Sequence, residues 1–334
     1  MKKLLLIGSD SIHIYNFIEL IKNYFDEVLL LTDDEHREYS IQTIAIDFGI
    51  NRNSFKTIKK IKSVVNDFQP TVVHIHQANS YALLTLLAIR KYRVKKILNA
   101  WGSDILINPK KYFLLKQIVK YNLKQADIVV ADSDTVLNEA KKLVSHIKTK
   151  NINFGIDFLS CKDEKENIIY SNRLHKDLYN IDKIIFSFSR FVQENRDWIL
   201  VIAGNGEDTQ KLKEQVSQLK IEENVKFIGF VDRKTNFEYY CKAKIYVSIP
   251  RSDSVSLSLV EAIVSGCVVF VSDLSANHEI VDNTLGFVVD SLEHIPFHKY
   301  NTIDRLEQGE KRSKLKHLFS KDYNKQRYID IYEN

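Results

Sequence analysis

The chain has 334 residues, 44% of them hydrophobic and 27% charged, with ten glycines and four prolines; it is too long for one ordinary domain and too apolar for a disordered one. The net charge of +5 is unevenly spread: residues 1–160 carry +7, residues 161–334 carry −2, and within 51–124 fifteen basic residues face two acidic ones. No stretch approaches the roughly 18 uncharged apolar residues of a membrane span, so any membrane contact is expected to be peripheral. Cys161, Cys241 and Cys267 are odd in number and far apart, so reduced thiols, no zinc site and a cytoplasmic location are expected.

The opening MKKLLLIGSDS pairs a basic start with an apolar run that Asp10 cuts short, which fits a first strand better than a secretory leader. Six further strands follow at 27–31, 42–45, 71–76, 96–100, 127–131 and 151–154, with helical periodicity between most of them, as in SFKTIKKIKSVVNDF and DTVLNEAKKLV. Strand and helix alternating in this way predict a parallel sheet covered on both faces, with ligands at the carboxyl ends of its strands. His74 and His76 alternate along TVVHIH and are expected to pack within a strand. VADSD (130–134) contains a DxD spelling, but its Asp132 and Ser133 suit a helix N-cap. The segment 110–125 sets Lys116, Lys120 and Lys124 beside Phe113, Leu115, Ile118 and Val119, and fits either an anionic membrane surface or a solvated helix covering the sheet.

The polar stretch 161–177 is expected to be a hinge. Strands at 184–188, 198–204, 225–230, 244–249 and 268–272 then predict a second doubly wound sheet. Only residues 189–197 separate the first two, whereas a parallel crossover needs about ten to a dozen residues or more, so this domain is expected to lack one crossover helix. The domains are drawn as 1–157, a linker 158–182, 183–312, and a terminal helix 313–334 returning toward the first domain.

Two stretches carry candidate chemistry. In AGNGED, Gly204, Asn205 and Gly206 end a strand and open a helix, where glycine lets backbone approach a ligand. In RSDSVSLSLVEAIVSGC, residues 252–256 offer hydroxyls and free amides at a helix start, which suits a phosphate, and Asp253 precedes Glu261 by eight residues. A glutamate inside so apolar a helix is unusual for a plain surface helix.

In this order and spacing, AGNGED, NVKFIGFVD, SVSLSLVEAIVSGC and VSDLSANHEIV resemble the donor domain of GT-B glycosyltransferase family 4. The resemblance extends to GSDSIH, AWGSD (100–104), ADIVVADSD (126–134), FGID (154–157) and a terminal helix ending in IYE, and AWGSDIL resembles the branch that builds capsule, lipopolysaccharide O-antigen and other surface polysaccharides. It implies two Rossmann-like domains facing a cleft. By position it implies that Asp253 holds donor-sugar hydroxyls, that Glu261 binds the nucleotide ribose, and that Arg190 faces the donor diphosphate; Ser256 stands where many members carry Gly. The family's lysine five residues after that arginine falls on Asn195, with Arg196 as a substitute. Phe230, Val231, Ser254, Leu257, Ser258 and Leu259 complete the implied donor site. On the acceptor side stand Ser11, Trp101, Gly102 and Asp104, and His13 joins Arg190, Asp253 and Glu261 as the implied catalytic residues, with a capping or solvated role the alternative for His13 and a turn with an aromatic lid that for Trp101 and Asp104.

The implied function is transfer of a sugar from a UDP- or GDP-linked donor to a surface glycan or lipid-linked acceptor, with retention at the anomeric carbon and without cofactor or metal. Basic residues of 51–124 would touch an anionic membrane; nucleic acid is not an expected partner. The alternatives are a degenerate, catalytically weak nucleotide- or partner-binding protein of a glycan-assembly pathway, for which the missing helix and lysine speak, and a nucleotide-sugar epimerase on the same fold.

Overall fold

The computed structural model describes residues 1–34, 36–161 and 164–334. It forms two compact units, Met1–Gly155 with Lys321–Asn334, and Ile156–Ser320.

In the first unit, β1 (Lys3–Ile7), β2 (Glu27–Thr32), β3 (Gln42–Ala45), β4 (Val72–His76), β5 (Lys95–Asn99), β6 (Ile128–Ala131) and β7 (Thr149–Asn151) form one sheet in the order β3-β2-β1-β4-β5-β6-β7. Each pairing is parallel. Its helices are α1 (Ile12–Ile21), α2 (Ser54–Phe68), α3 (Ser80–Ala88), the short α4 (Gly102–Leu106) and α5 (Asn108–Lys111), α6 (Phe113–Gln125) and α7 (Asp134–Leu143). The apolar run of β1 serves two faces: Leu5 and Ile7 join the cluster that includes α2, α3 and α6, while Leu4 and Leu6 join the one built on α1. Ser133 caps α7, its Oγ accepting from the amide of Val136 at 3.2 Å.

The second unit has β8 (Glu166–Ser171), β9 (Ile199–Ala203), β10 (Val225–Gly229), β11 (Ala243–Ser248), β12 (Val268–Ser272) and β13 (Gly286–Val289), ordered β10-β9-β8-β11-β12-β13. Its helices are α8 (Ile181–Phe191), α9 (Thr209–Gln218), α10 (Arg233–Lys242), α11 (Leu257–Val264), α12 (Ser275–His278) and α13 (Arg305–Leu318). The last helix, α14 (Lys321–Glu333), belongs to the first unit, where Tyr328 and Tyr332 are buried. The expected terminal helix 313–334 is therefore two helices, broken at Phe319 and Ser320.

The structure corrects the start of the second domain. Its first strand, β8, lies inside the predicted linker 158–182, of which Lys162 and Asp163 fall outside the described residues. The predicted strand 184–188 is part of helix α8, with Ile181, Ile184, Ile185 and Phe188 turned into the core at helical spacing. A short apolar run such as IIFSF cannot be assigned to strand or helix by periodicity alone. Between β8 and β9 the crossover thus carries a full helix, and none is missing there.

The expectation of three reduced thiols is also corrected. Cys161 and Cys241 form a disulfide with Cα atoms 5.3 Å apart, because the segment leaving Ile156 runs along α10; Cys267 is free and buried.

Candidate functional site

Two neighbouring strands of the second sheet, β8 and β11, belong to opposite halves of its winding, and the loops leaving their carboxyl ends diverge there. This is the switch point at which open α/β sheets place ligands. The loop after β8 carries Asn172, Arg173 and His175, and the loop after β11 carries Asp253 and Ser256. Arg173 Nη2 donates to Asp253 Oδ2 at 2.6 Å, and Nη1 donates to Ser256 Oγ at 2.8 Å. The guanidinium also lies 4.6 Å from the centre of the Tyr179 ring. Burial disfavours the Arg173 cation, but Asp253 and its other neighbours outweigh that cost and raise its pKa.

Glycine is required where the β9 loop meets this arginine. Gly204 has φ +99°, and a Cβ there would lie 2.7 Å from the carbonyl oxygen of Arg173; one at Gly206 would lie 2.2 Å from that of His175. The His175 amide donates to the carbonyl of Asn205 at 3.2 Å, and its Nδ1 sits 2.8 Å from Thr209 Oγ1. The AGNGED glycines thus admit the loop that carries Arg173, whereas the sequence reading had them admitting a ligand.

Glu261 follows on α11. Burial pushes its carboxyl up, opposed by the charge of Arg233 and a hydrogen bond with Tyr240. Tyr240 OH also accepts from Asn172 Nδ2 at 2.7 Å, and Tyr246 OH donates to Asn172 Oδ1 at 2.9 Å. One buried polar network therefore ties the residue preceding Arg173 to Glu261. Ile156, Asp157, Arg233, Asn236 and Tyr240 line a small cavity against Glu261. α11 begins at Leu257, directly after Ser256, whose side chain makes no cap bond and instead accepts from Arg173; a helix start is a site that favours an anion.

The remaining predicted donor residues divide. Ser254 donates its amide to Asp253 Oδ1 at 3.0 Å. Ser258 bonds Tyr240 from the next turn of the helix. Phe230 is 70% exposed. Leu259 is buried in the core, and the half-buried Leu257 and Val231 pack against it.

Arg190 is misplaced by the sequence reading. It lies exposed in the last turn of α8. A crossover helix runs antiparallel to its strands, so Arg190 and the exposed Arg196, which precedes β9, sit at the amino ends of the sheet, opposite Asp253. Arg173 stands where Arg190 was expected. The available signal was ENIIYS, a half-alternating apolar run followed directly by NRLHKD. Five residues after Arg173 stands Leu178, so the lysine implied by the resemblance is absent there too; Lys176 and Arg251 are the nearby cations, and the Arg251 amide donates to the carbonyl of Leu178 at 2.9 Å.

The first unit presents a different edge at its own switch point, between β1 and β4. Ser11 caps α1, accepting from the amide of Ile14 at 3.4 Å. His13 packs edge-on against Trp101 at 5.3 Å and near Phe154 at 6.4 Å, and desolvation lowers its pKa. Asp104, expected as an exposed contact in the short helix opened by Gly102, is instead 4% exposed. It accepts from the amide of Ala78 at 2.5 Å, and burial raises its pKa to about 7. His74 and His76 are fully buried against Phe17, and desolvation lowers both pKa values, that of His74 to about 3. Neither His76 ring nitrogen has a hydrogen-bond partner among the described residues.

Two family descriptions match the chain, "Glycosyl transferase 4-like" over residues 2–133 and "Glycosyl transferases group 1" over residues 156–317. The chain belongs to glycosyltransferase family 4. Among curated family relatives it is 23% identical over 248 residues to alpha-monoglucosyldiacylglycerol synthase of Streptococcus pneumoniae, covering 66% of this chain and 55% of that one. It is 24% identical over 214 residues to N-acetyl-alpha-D-glucosaminyl L-malate synthase of Bacillus anthracis, covering 58% and 54%. The chain thus spans little more than half the length of these relatives. Among solved structures, Anabaena HepE in complex with UDP matches with a TM-score of 0.82 at 14% identity over all of both chains. Sucrose-phosphate synthase from Thermosynechococcus elongatus matches at 0.81 and 14% identity over all of this chain and 98% of that one. At such identities the likeness is one of fold, and the fold is GT-B.

Proposed function

We propose that this family 4 protein transfers a sugar from a nucleoside diphosphate sugar to a surface glycan or lipid-linked acceptor, with retention at the anomeric carbon. The observation that supports this reading is the Arg173–Asp253 pair just ahead of the start of α11, with Glu261 eight residues after Asp253. Arg173 and the helix start would neutralise the diphosphate, the role a metal ion plays in other transferases, so no metal is expected to be required. Glu261 would take the ribose hydroxyls and Asp253 those of the sugar. The full crossover through α8 removes one of the two reasons for reading the chain as a degenerate binder. Leu178, in place of a second cation, is the reason that stays.

Calorimetric titration with UDP, GDP, CDP and ADP tests the donor site. The expected result is selective binding of one nucleotide without added metal, weakened by Glu261→Ala. No binding of any nucleotide would reject the transferase reading. Nucleotide binding without transfer to any lipid or glycan acceptor would favour the degenerate reading.

A further inference from the structure

Residues 156–161 open the second unit as a strap laid along α10. Its start is fixed: Ile156 is buried, its amide donates to the carbonyl of Phe319 at 2.7 Å, and Phe158 packs against the core. Further on the hold is thinner. Arg233 Nη2, in the first turn of α10, donates to the carbonyl of Asp157 at 2.8 Å, and Nη1 lies 3.6 Å from the Asp157 carboxylate, but this pair is exposed and contributes little alone. Leu159 is 50% exposed. The end of the strap is fastened by the bond from Cys161 to Cys241, in the last turn of α10. Cys241 is buried and Cys161 exposed, so a thiolate in solvent can reach the bond at the Cys161 sulfur, and exposed bonds are the ones that reductants open. What the strap covers belongs to the donor site. It forms one wall of the small cavity against Glu261, and Arg233 and Tyr240, the residue before Cys241, belong to the other.

We infer that Cys161 and Cys241 are a redox switch on the ribose side of the donor site: oxidised, they pin the strap to α10 and keep Arg233 on Asp157; reduced, they release both. A dithiol supplies two electrons and two protons, leaving two cysteine thiols and its own disulfide, and a disulfide oxidant reverses the exchange. Once the strap is free, Arg233 turns from Asp157 to Glu261, where its charge already offsets part of the rise that burial imposes on that carboxyl. It then competes with the ribose hydroxyls. A loose strap must also be ordered again each time a nucleoside binds, which weakens binding further. The diphosphate end is held separately, by Arg173 with Asp253 and Ser256. The inference rests on the donor site proposed above. A protein that binds no nucleotide in either redox state fails that reading, whereas one that binds equally in both fails only the switch.

The test is calorimetric titration of the full chain, after oxidised glutathione and after dithiothreitol, with whichever of UDP, GDP, CDP and ADP it selects and with inorganic pyrophosphate. Reduction is expected to weaken nucleotide binding about tenfold and to leave pyrophosphate affinity unchanged. Cys161→Ser, at the exposed end of the bond, should bind like the reduced parent in both conditions. Cys267→Ala, which removes the buried free thiol, should keep the full response. Without any ligand, chymotryptic cleavage after Phe158 or Leu159 should run at least about tenfold faster in the reduced protein. Three reactive thiols in the denatured protein after glutathione treatment would mean that the bond had not formed and would overturn the proposal. Equal nucleotide affinity in the two states overturns it, as does cleavage that ignores the reductant. An equal loss of pyrophosphate affinity would show a general loosening of the unit and overturn it as well.

Discussion

The two sheets share one winding order around their switch points, yet their carboxyl edges differ in kind. In the second unit the edge is charged, with Arg173 held by Asp253 and Ser256 and a half-buried Glu261 linked to it through Asn172 and Tyr240. In the first, His74 and His76 are buried neutral behind the corresponding edge and burial raises the pKa of Asp104, while Asp10 and Asp33 follow β1 and β2. One topology serves two chemistries because loops, and not strands, carry the groups at the ends of the sheet. The cation of the second unit's edge suits a diphosphate.

The largest expected effect comes from breaking the charged edge. Arg173→Ala removes a buried cation and leaves Asp253 unpaired, so nucleotide affinity should fall about a hundredfold, on the order of 3 kcal/mol. Arg190→Ala, at the other end of the sheet, should change it by less than a factor of two. Calorimetry on the two variants distinguishes Arg173 from Arg190 as the cation of the site.

Acid should weaken the first unit before the second. A histidine whose folded pKa lies below its unfolded value favours folding fully above about pH 6.5 and loses that contribution as pH falls toward the folded value, at up to ~1.4 kcal/mol per pH unit for each ring. For His74 the window runs from about 6.5 down to about 3. Trp101 lies in the first unit and Trp198 in the second. Urea unfolding followed separately by each, in Trp198→Phe and Trp101→Phe variants, should show the Trp101 transition weakening first as pH falls from 6.5 to 4.5.

Asp104 has the opposite sign. Its folded pKa is raised to about 7, so its contribution is full below the ordinary carboxylate range and is lost as pH rises through about 7. Above the histidine window, between about pH 6.5 and 8, Asp104→Asn should flatten the loss of first-unit stability, read by the same fluorescence. A smaller effect than that of Arg173→Ala is expected of Tyr240→Phe. It removes one hydrogen bond to Glu261 and one acceptor for Asn172, and should weaken nucleotide binding about fivefold, on the order of 1 kcal/mol.

Much of this was legible in the sequence, and the misreadings have physical causes. The β1 run is apolar on both faces, as a buried parallel strand requires, and the spacing of Asp253 and Glu261 marks a loop and the helix that follows it. β8 was missed because its first residues, Glu166 and Asn167, continue a polar stretch and leave only a short apolar core to read. That single miss moved the domain start to a helix, made a crossover look absent and handed the role of Arg173 to Arg190. The burial of Asp104 could not be read, since AWGSD looks like an exposed turn until the Ala78 amide is brought to it from another strand end. The Cys161–Cys241 pairing was hidden for the same reason, its partners lying 80 residues apart.

The central claim is that the charged edge holds a diphosphate through Arg173. It is tested most directly by comparing the affinities of the selected nucleoside diphosphate and its monophosphate in the parent protein and in Arg173→Ala. A diphosphate preference of at least about tenfold in the parent, erased in the variant, is the predicted result. A preference that survives loss of Arg173 would place the diphosphate elsewhere and contradict the assignment.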